Sequence, residues 1–103
     1  MKLQVAILHH QHFPEHVREH IEAKLQHLAR YFGRTESLQA RLERQRDTYR
    51  IELVANLPRG VVLVVEGRAQ TMDAALDESL RRMTRVLARH KDRLAHGGRR
   101  KTG

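Results

Sequence analysis

The apolar residues of this chain change their spacing several times, and the order of those changes restricts the fold more than any other feature. Leu3, Val5 and Ile7 alternate with Lys2, Gln4 and Ala6, a period of two that predicts a strand with one apolar face. His9 to His12 then read as a polar connection. From Pro14 onward, Val17, Ile21, Leu25, Leu28 and Phe32 recur every three or four residues, which predicts a helix with a single apolar stripe. Proline suits its first turn, and Gly33 is a natural stop. Three more runs of period two follow, through Leu38 to Leu42, Tyr49 to Leu57 and Val61 to Val65. The short breaks between them, Leu57-Pro58-Arg59-Gly60 among them, predict an antiparallel meander. The helical spacing then returns in Met72, Leu76, Leu80, Met83, Leu87 and Leu94. Thr71 can cap this helix, with Asp73 in its first turn, and Gly97-Gly98 should end it near Ala95. The order is β-α-β-β-β-α, an α+β fold. Both helices have a stripe to bury, and the apolar face of the sheet is the available partner.

Composition narrows the function. With 103 residues, 40% hydrophobic and 31% charged, the chain suits one folded domain rather than a disordered segment. Residues 1–96 are expected to form that domain, and residues 97–103 a flexible basic tail. No apolar run approaches the roughly 18 residues of a membrane span. The N-terminus lacks a small-residue cleavage site and reads as a strand rather than a signal peptide. There is no cysteine, hence no disulfide framework and no thiolate site. A cytoplasmic location is the default expectation.

The formal net charge is +8, which suggests a polyanionic partner. Its distribution says more than its total. Residues 1–77 hold 11 basic and 10 acidic side chains, whereas residues 78–103 hold 9 and 2. Arg81, Arg82, Arg85, Arg89 and Arg93 lie away from the apolar stripe of the last helix. Arg82, Arg85 and Arg89 step by three and four, so they share a face about 10 Å long. Guanidinium groups can bind phosphate oxygens in pairs and stack on exposed bases. A solvated face would interleave acids for pairing, yet only Glu78 and Asp92 occur here.

Other motifs carry less. The first helix mixes Arg18, Lys24, His27 and Arg30 with three glutamates, as ordinary surface helices do. His16 and His20 lie one turn apart and could face a metal ion, but no third ligand recurs at a convincing spacing, so a structural role is the better reading. Asp73 and Asp77 are explained by the helix dipole. No Gly-rich phosphate loop, G-x-S-x-G or H-E-x-x-H occurs, so neither an enzyme nor a cofactor is expected.

Over about residues 2–95 the chain resembles the short form of the ribosome hibernation-promoting factor family, also described as ribosome-associated translation inhibitors and sigma-54 modulation proteins. Thr71-Met72-Asp73-Ala74-Ala75-Leu76-Asp77 looks like the family's D-M-Y-A-A-I-D at the start of the last helix. Arg82-Met83-Thr84-Arg85-Val86-Leu87 looks like its K-L-x-x-Q-L, and Lys24-Leu25 like the basic-leucine pair of its first helix. Thr71 stands where an Asp is usual, Asp73 where an aromatic is usual, and Val86 where a Gln is usual.

The resemblance implies two parallel helices on one face of a four-stranded sheet, akin to double-stranded-RNA-binding domains. It implies binding to small-subunit ribosomal RNA at the decoding region, which would block messenger and transfer RNA and preserve idle ribosomes. The contacts it implies are Lys24, Arg82, Arg85 and Arg89, joined by Lys91 and Arg93. Long members add a C-terminal dimerising domain, and with none here a monomer is expected. A general duplex binder and a protein-interaction module that modulates transcription are the alternatives. The lysine cluster that usually opens the last helix of a duplex-binding module is replaced here by Met72-Asp73-Ala74-Ala75.

Overall fold

The computed structural model describes the backbone of residues 4–9 and 13–100 and the side chains of residues 13–94. Its elements run β1 (Gln4–His9), α1 (Glu15–Tyr31), β2 (Ser37–Gln45), β3 (Thr48–Leu57), β4 (Val61–Ala69) and α2 (Met72–Arg100). The strands form one sheet in the order β1-β2-β3-β4. β1 pairs parallel to β2, in register Val5 to Leu38 and Ile7 to Ala40. The other two pairings are antiparallel.

Register decides which side chains share a face. Leu38 lies opposite Ala55, Ala40 opposite Leu53 and Leu42 opposite Ile51, and all six are buried. Leu53 in turn lies opposite Val65, and Ala55 opposite Leu63. The alternation expected of half-buried strands therefore produces one continuous apolar face. Ile21, Leu25 and Leu28 of α1 and Leu76, Met83 and Leu87 of α2 complete a single core against it. The parallel β1–β2 pair requires α1 to run back along the sheet, and α2 runs back along β4. The two helices are thus parallel. His20 meets Asp73 near their N-terminal ends, and Phe32 and Leu87 line one cleft toward the other end.

Local chemistry sets the boundaries. Pro14 occupies the N-cap of α1, and its carbonyl accepts from Val17 N at 3.0 Å. The helix ends at Tyr31. Phe32 leaves helical geometry with φ −113° and is itself buried, so the core ends the helix one residue before Gly33. Thr71 caps α2 as expected: its Oγ1 accepts from Ala74 N at 3.2 Å. The turn Pro58–Gly60 is tight, with Arg59 and Gly60 at φ 67° and 73°. Glycine enters that region freely, whereas arginine pays a steric penalty there.

Four expectations need correction. His9 belongs to β1 rather than to the connection, while His10 and His12 lie outside the described residues. β4 continues to Ala69, beyond the Val61–Val65 run. α2 does not stop near Ala95 but continues through Gly97-Gly98 to Arg100, so residues 97–100 are helical; residues 101–103 lie outside the described residues. Glycine within a helix costs about 1 kcal/mol relative to alanine, which weakens a helix without obliging it to end. Finally, Leu94 is not part of the buried stripe. It is 46% exposed, because α2 overhangs the sheet that buries Met83 and Leu87.

α2 approaches β4 closely because the contact is built from small residues. Ala75 and Ser79 of α2 are fully buried against Gly67. A Cβ on Gly67 would lie 2.6 Å from Ser79 N and closer still to the Ala75 carbonyl oxygen. Ser79 meets its own polar need by donating to the Leu76 carbonyl at 2.8 Å.

Candidate nucleic-acid interface

The two surfaces of the molecule handle charge differently. On the sheet face turned away from the helices, arginines are matched by acids. Arg50 donates to Glu66 at 2.7 Å and lies within 3.6 Å of Glu43 and 3.4 Å of Glu52. Arg68 donates to the other oxygen of Glu66 at 2.7 Å. The hydrogen bond from Arg50, aided by the one from Arg68, holds the Glu66 carboxyl below its usual range, while Arg50 is pushed upward, chiefly by Glu66. Cross-strand pairing of opposite charges accounts for this cluster, which leaves little charge to attract a polyanion.

The helix side is different. Arg81, Arg85, Arg89, Lys91 and Arg93 are all exposed, and among the described residues no acid pairs with any of them. They crowd into 13 residues of α2, so their mutual repulsion is relieved by anions from solution or from a partner. This is the arrangement that phosphate neutralisation requires.

Arg82 stands apart from that group. Its Nη1 donates to the Glu66 carbonyl at 3.1 Å, and its Nη2 lies 3.4 Å from Glu78. Glu78 in turn accepts from Arg68 N at 3.3 Å. β4 is an edge strand, so Glu78 and Arg82 satisfy backbone groups on an edge that would otherwise face water or another chain. The side chain keeps 57% exposure and can still present its remaining N–H groups outward. Replacing it would disturb the α2–β4 contact as well as the charge.

The six expected contact residues therefore fall into two sets. Arg82, Arg85, Arg89 and Arg93 follow one another at helical spacing along one side of α2, with Arg82 against β4. Lys91 lines a cleft with Phe32 and Arg34 and so lies on the side toward α1. Lys24 sits one turn after His20, which faces Asp73 of α2, and so lies on the flank of α1 toward α2. The structure places Lys24 and Lys91 along the groove between the helices, apart from the arginine row. Sequence reasoning did not single out Arg34 or His90, which border the same cleft. Neither belongs to a periodic pattern; only tertiary packing brings them there. His20 lies 3.9 Å from Asp73, and no cluster of three metal-ligating side chains occurs among the described residues. No helix among those residues is long and apolar enough to cross a membrane.

Residues 7–95 match the model of the family described as sigma 54 modulation protein / S30EA ribosomal protein. No curated protein matches the chain in sequence. Among solved structures, the N-terminal domain of Protein Y from Thermus thermophilus is similar at 24% identity, with a TM-score of 0.71 over 87% of this chain and 99% of that one. A ribosomal subunit interface protein from Coxiella burnetii is similar at 15% identity, with a TM-score of 0.75 over 89% of this chain and 99% of that one. At these identities the two structures establish a shared fold.

Proposed function

Since the chain belongs to the sigma 54 modulation protein / S30EA ribosomal protein family, we propose that it acts on the ribosome by laying the basic side of α2 on small-subunit ribosomal RNA at the decoding region. There it blocks messenger and transfer RNA sterically and keeps idle ribosomes intact. One observation carries the reading. Among the described residues, Arg81, Arg85, Arg89, Lys91 and Arg93 stand exposed on one helix with no acid within ion-pair distance, whereas Arg50 and Arg68 on the far side of the sheet are neutralised by Glu43, Glu52 and Glu66. The helices thus face the RNA, with Lys24 and Lys91 along the groove between them and Arg82 at the β4 margin. The mechanism is occlusion: it needs no cofactor and no bond-making step, and a cytoplasmic monomer is sufficient for it.

Affinity of this kind falls with salt by about 0.7–0.9 log units per phosphate contact for each log unit of salt. The test is co-sedimentation with purified small subunits across a salt series, beside a free RNA duplex as competitor. Wild-type protein pellets with the subunit, is released as salt rises and resists the duplex. Arg85→Glu combined with Arg89→Glu stays in the supernatant at moderate salt and unfolds at the same temperature as wild type. This pair is a cleaner probe than one including Arg82, which also holds the β4 edge. Pelleting of the folded double variant at wild-type strength refutes the assignment of this helix. Release by any duplex favours a general duplex binder.

A further inference from the structure

At the C-terminal end of α1, the two helices and the end of β3 enclose a cleft of about 350 Å³, within the roughly 300–1,000 Å³ range of small-molecule sites. Its apolar walls are Phe32, Leu57, Leu87 and Leu94, and its polar lining is Arg34, Lys91 and the His90 imidazole, with no acid among the lining residues. Phe32, Leu57 and Leu87 belong to the core. Leu94 is a large apolar side chain left 46% exposed. The cleft therefore joins apolar walls backed by the core to the exposed cations Arg34 and Lys91.

We propose that this cleft takes one unstacked nucleotide of the RNA bound by α2, with the base against Leu94 and Phe32 and the flanking phosphates on Arg34 and Lys91. The proposal rests on the RNA-binding reading of α2. Three features select this occupant. A nucleotide joins a flat, largely apolar ring to an anion, and the cleft joins apolar walls to cations. Bases held outside a stack are gripped between aromatic or aliphatic side chains. The slot also opens on the helix side of the molecule: Lys91 lies on the flank of α2 toward α1, across the helix from the arginine row, so RNA laid over α2 reaches both. Phosphate contacts alone position an RNA without distinguishing its sequence. A single captured base would fix the register of the protein on the RNA.

The test is base-specific chemical probing of small subunits, using dimethyl sulfate and a carbodiimide so that all four bases are covered. Wild-type protein is compared with Leu94→Asn and Gly33→Leu. Leu94 is half exposed, and a Cβ on Gly33 meets nothing within 4 Å, so both variants should fold; thermal unfolding checks this. Both keep every cation. The expected result is that all three proteins pellet with the subunit, the variants about tenfold more weakly, as for loss of one stacked base. One unpaired base should change reactivity with wild type alone. If base reactivities are identical for wild type and both variants at saturation, the cleft holds no nucleotide and the proposal falls, while the α2 reading stands. If wild type does not pellet at all, both readings fail.

Discussion

Replacing Gly67 by alanine tests how α2 is seated. The added Cβ would stand 2.6 Å from Ser79 N and 3.0 Å from Ser79 Cβ, with the Ala75 carbonyl oxygen nearer still. The two closest atoms are backbone, so no rotamer change relieves the clash. To restore ordinary contact of about 3.4 Å or more, α2 must retreat by at least about 0.8 Å, and a gap of that size forfeits roughly a quarter to a half of the dispersion attraction across it. Ala75, Leu76, Ser79 and Met83, all buried, lie on the stretch that would lift. Overpacking of this kind costs about 1–3 kcal/mol, and with an immovable backbone the upper half of that range applies. Alanine also restricts the unfolded chain and regains about 0.4–1 kcal/mol. The net expectation is a loss of about 1–2.5 kcal/mol. With a urea slope of about 1–3 kcal/mol per molar, the unfolding midpoint should fall by about 1 M. A midpoint equal to or above wild type would refute the close α2–β4 contact, and with it the placement of Arg82 on Glu66.

Two further perturbations follow from the same geometry. The Thr35 hydroxyl is buried with no hydrogen-bond partner among the described residues, so Thr35→Val, which keeps the shape and removes the unpaired group, should raise the thermal midpoint by a few degrees, on the order of 1 kcal/mol; a fall of similar size would mean that the hydroxyl is satisfied. Glu66 is held below its usual range by Arg50, so its contribution is present above the ordinary carboxylate pKa of about 4.3 and is lost as pH falls through its lower folded value. Urea titrations of wild type and Glu66→Gln should therefore differ by a constant amount, under about 1 kcal/mol for so solvated a pair, from pH 7 to pH 5 and converge as pH falls through the lower folded value; a difference that grows on acidification would contradict the pairing.

Much of the fold is legible in the residues, because strands and helices bury faces whose periods differ. Leu38, Ala40 and Leu42 point to one side wherever the strand is placed, and Ile21, Leu25 and Leu28 form a stripe in any helix. What the residues do not show is where a partner element ends. Leu94 continues the stripe of α2, but the sheet stops short of it, so an expected core residue stands half exposed at the mouth of a cleft. The same holds for Gly67, Ala75 and Ser79. None stands out by hydrophobicity, yet together they set the distance between α2 and β4. The basic character of α2 is visible from the lack of acids among its arginines. The difference between Arg82 and Arg85 is not, because it depends on which carbonyl of an edge strand lies within reach. Lys91 is set apart from the arginine row by its two-residue offset on the same helix, whereas Lys24 is brought beside α2 by helix pairing, which no single-helix pattern encodes.

The central claim is that the exposed cations of α2 meet small-subunit ribosomal RNA at the decoding region. Its most direct test is a hydroxyl-radical footprint of the small subunit with wild-type protein and with the Arg85→Glu, Arg89→Glu pair. The account predicts a stretch of backbone protection in the decoding region with wild type that disappears with the double variant. Protection elsewhere on the subunit, or equal protection by both proteins, would contradict it.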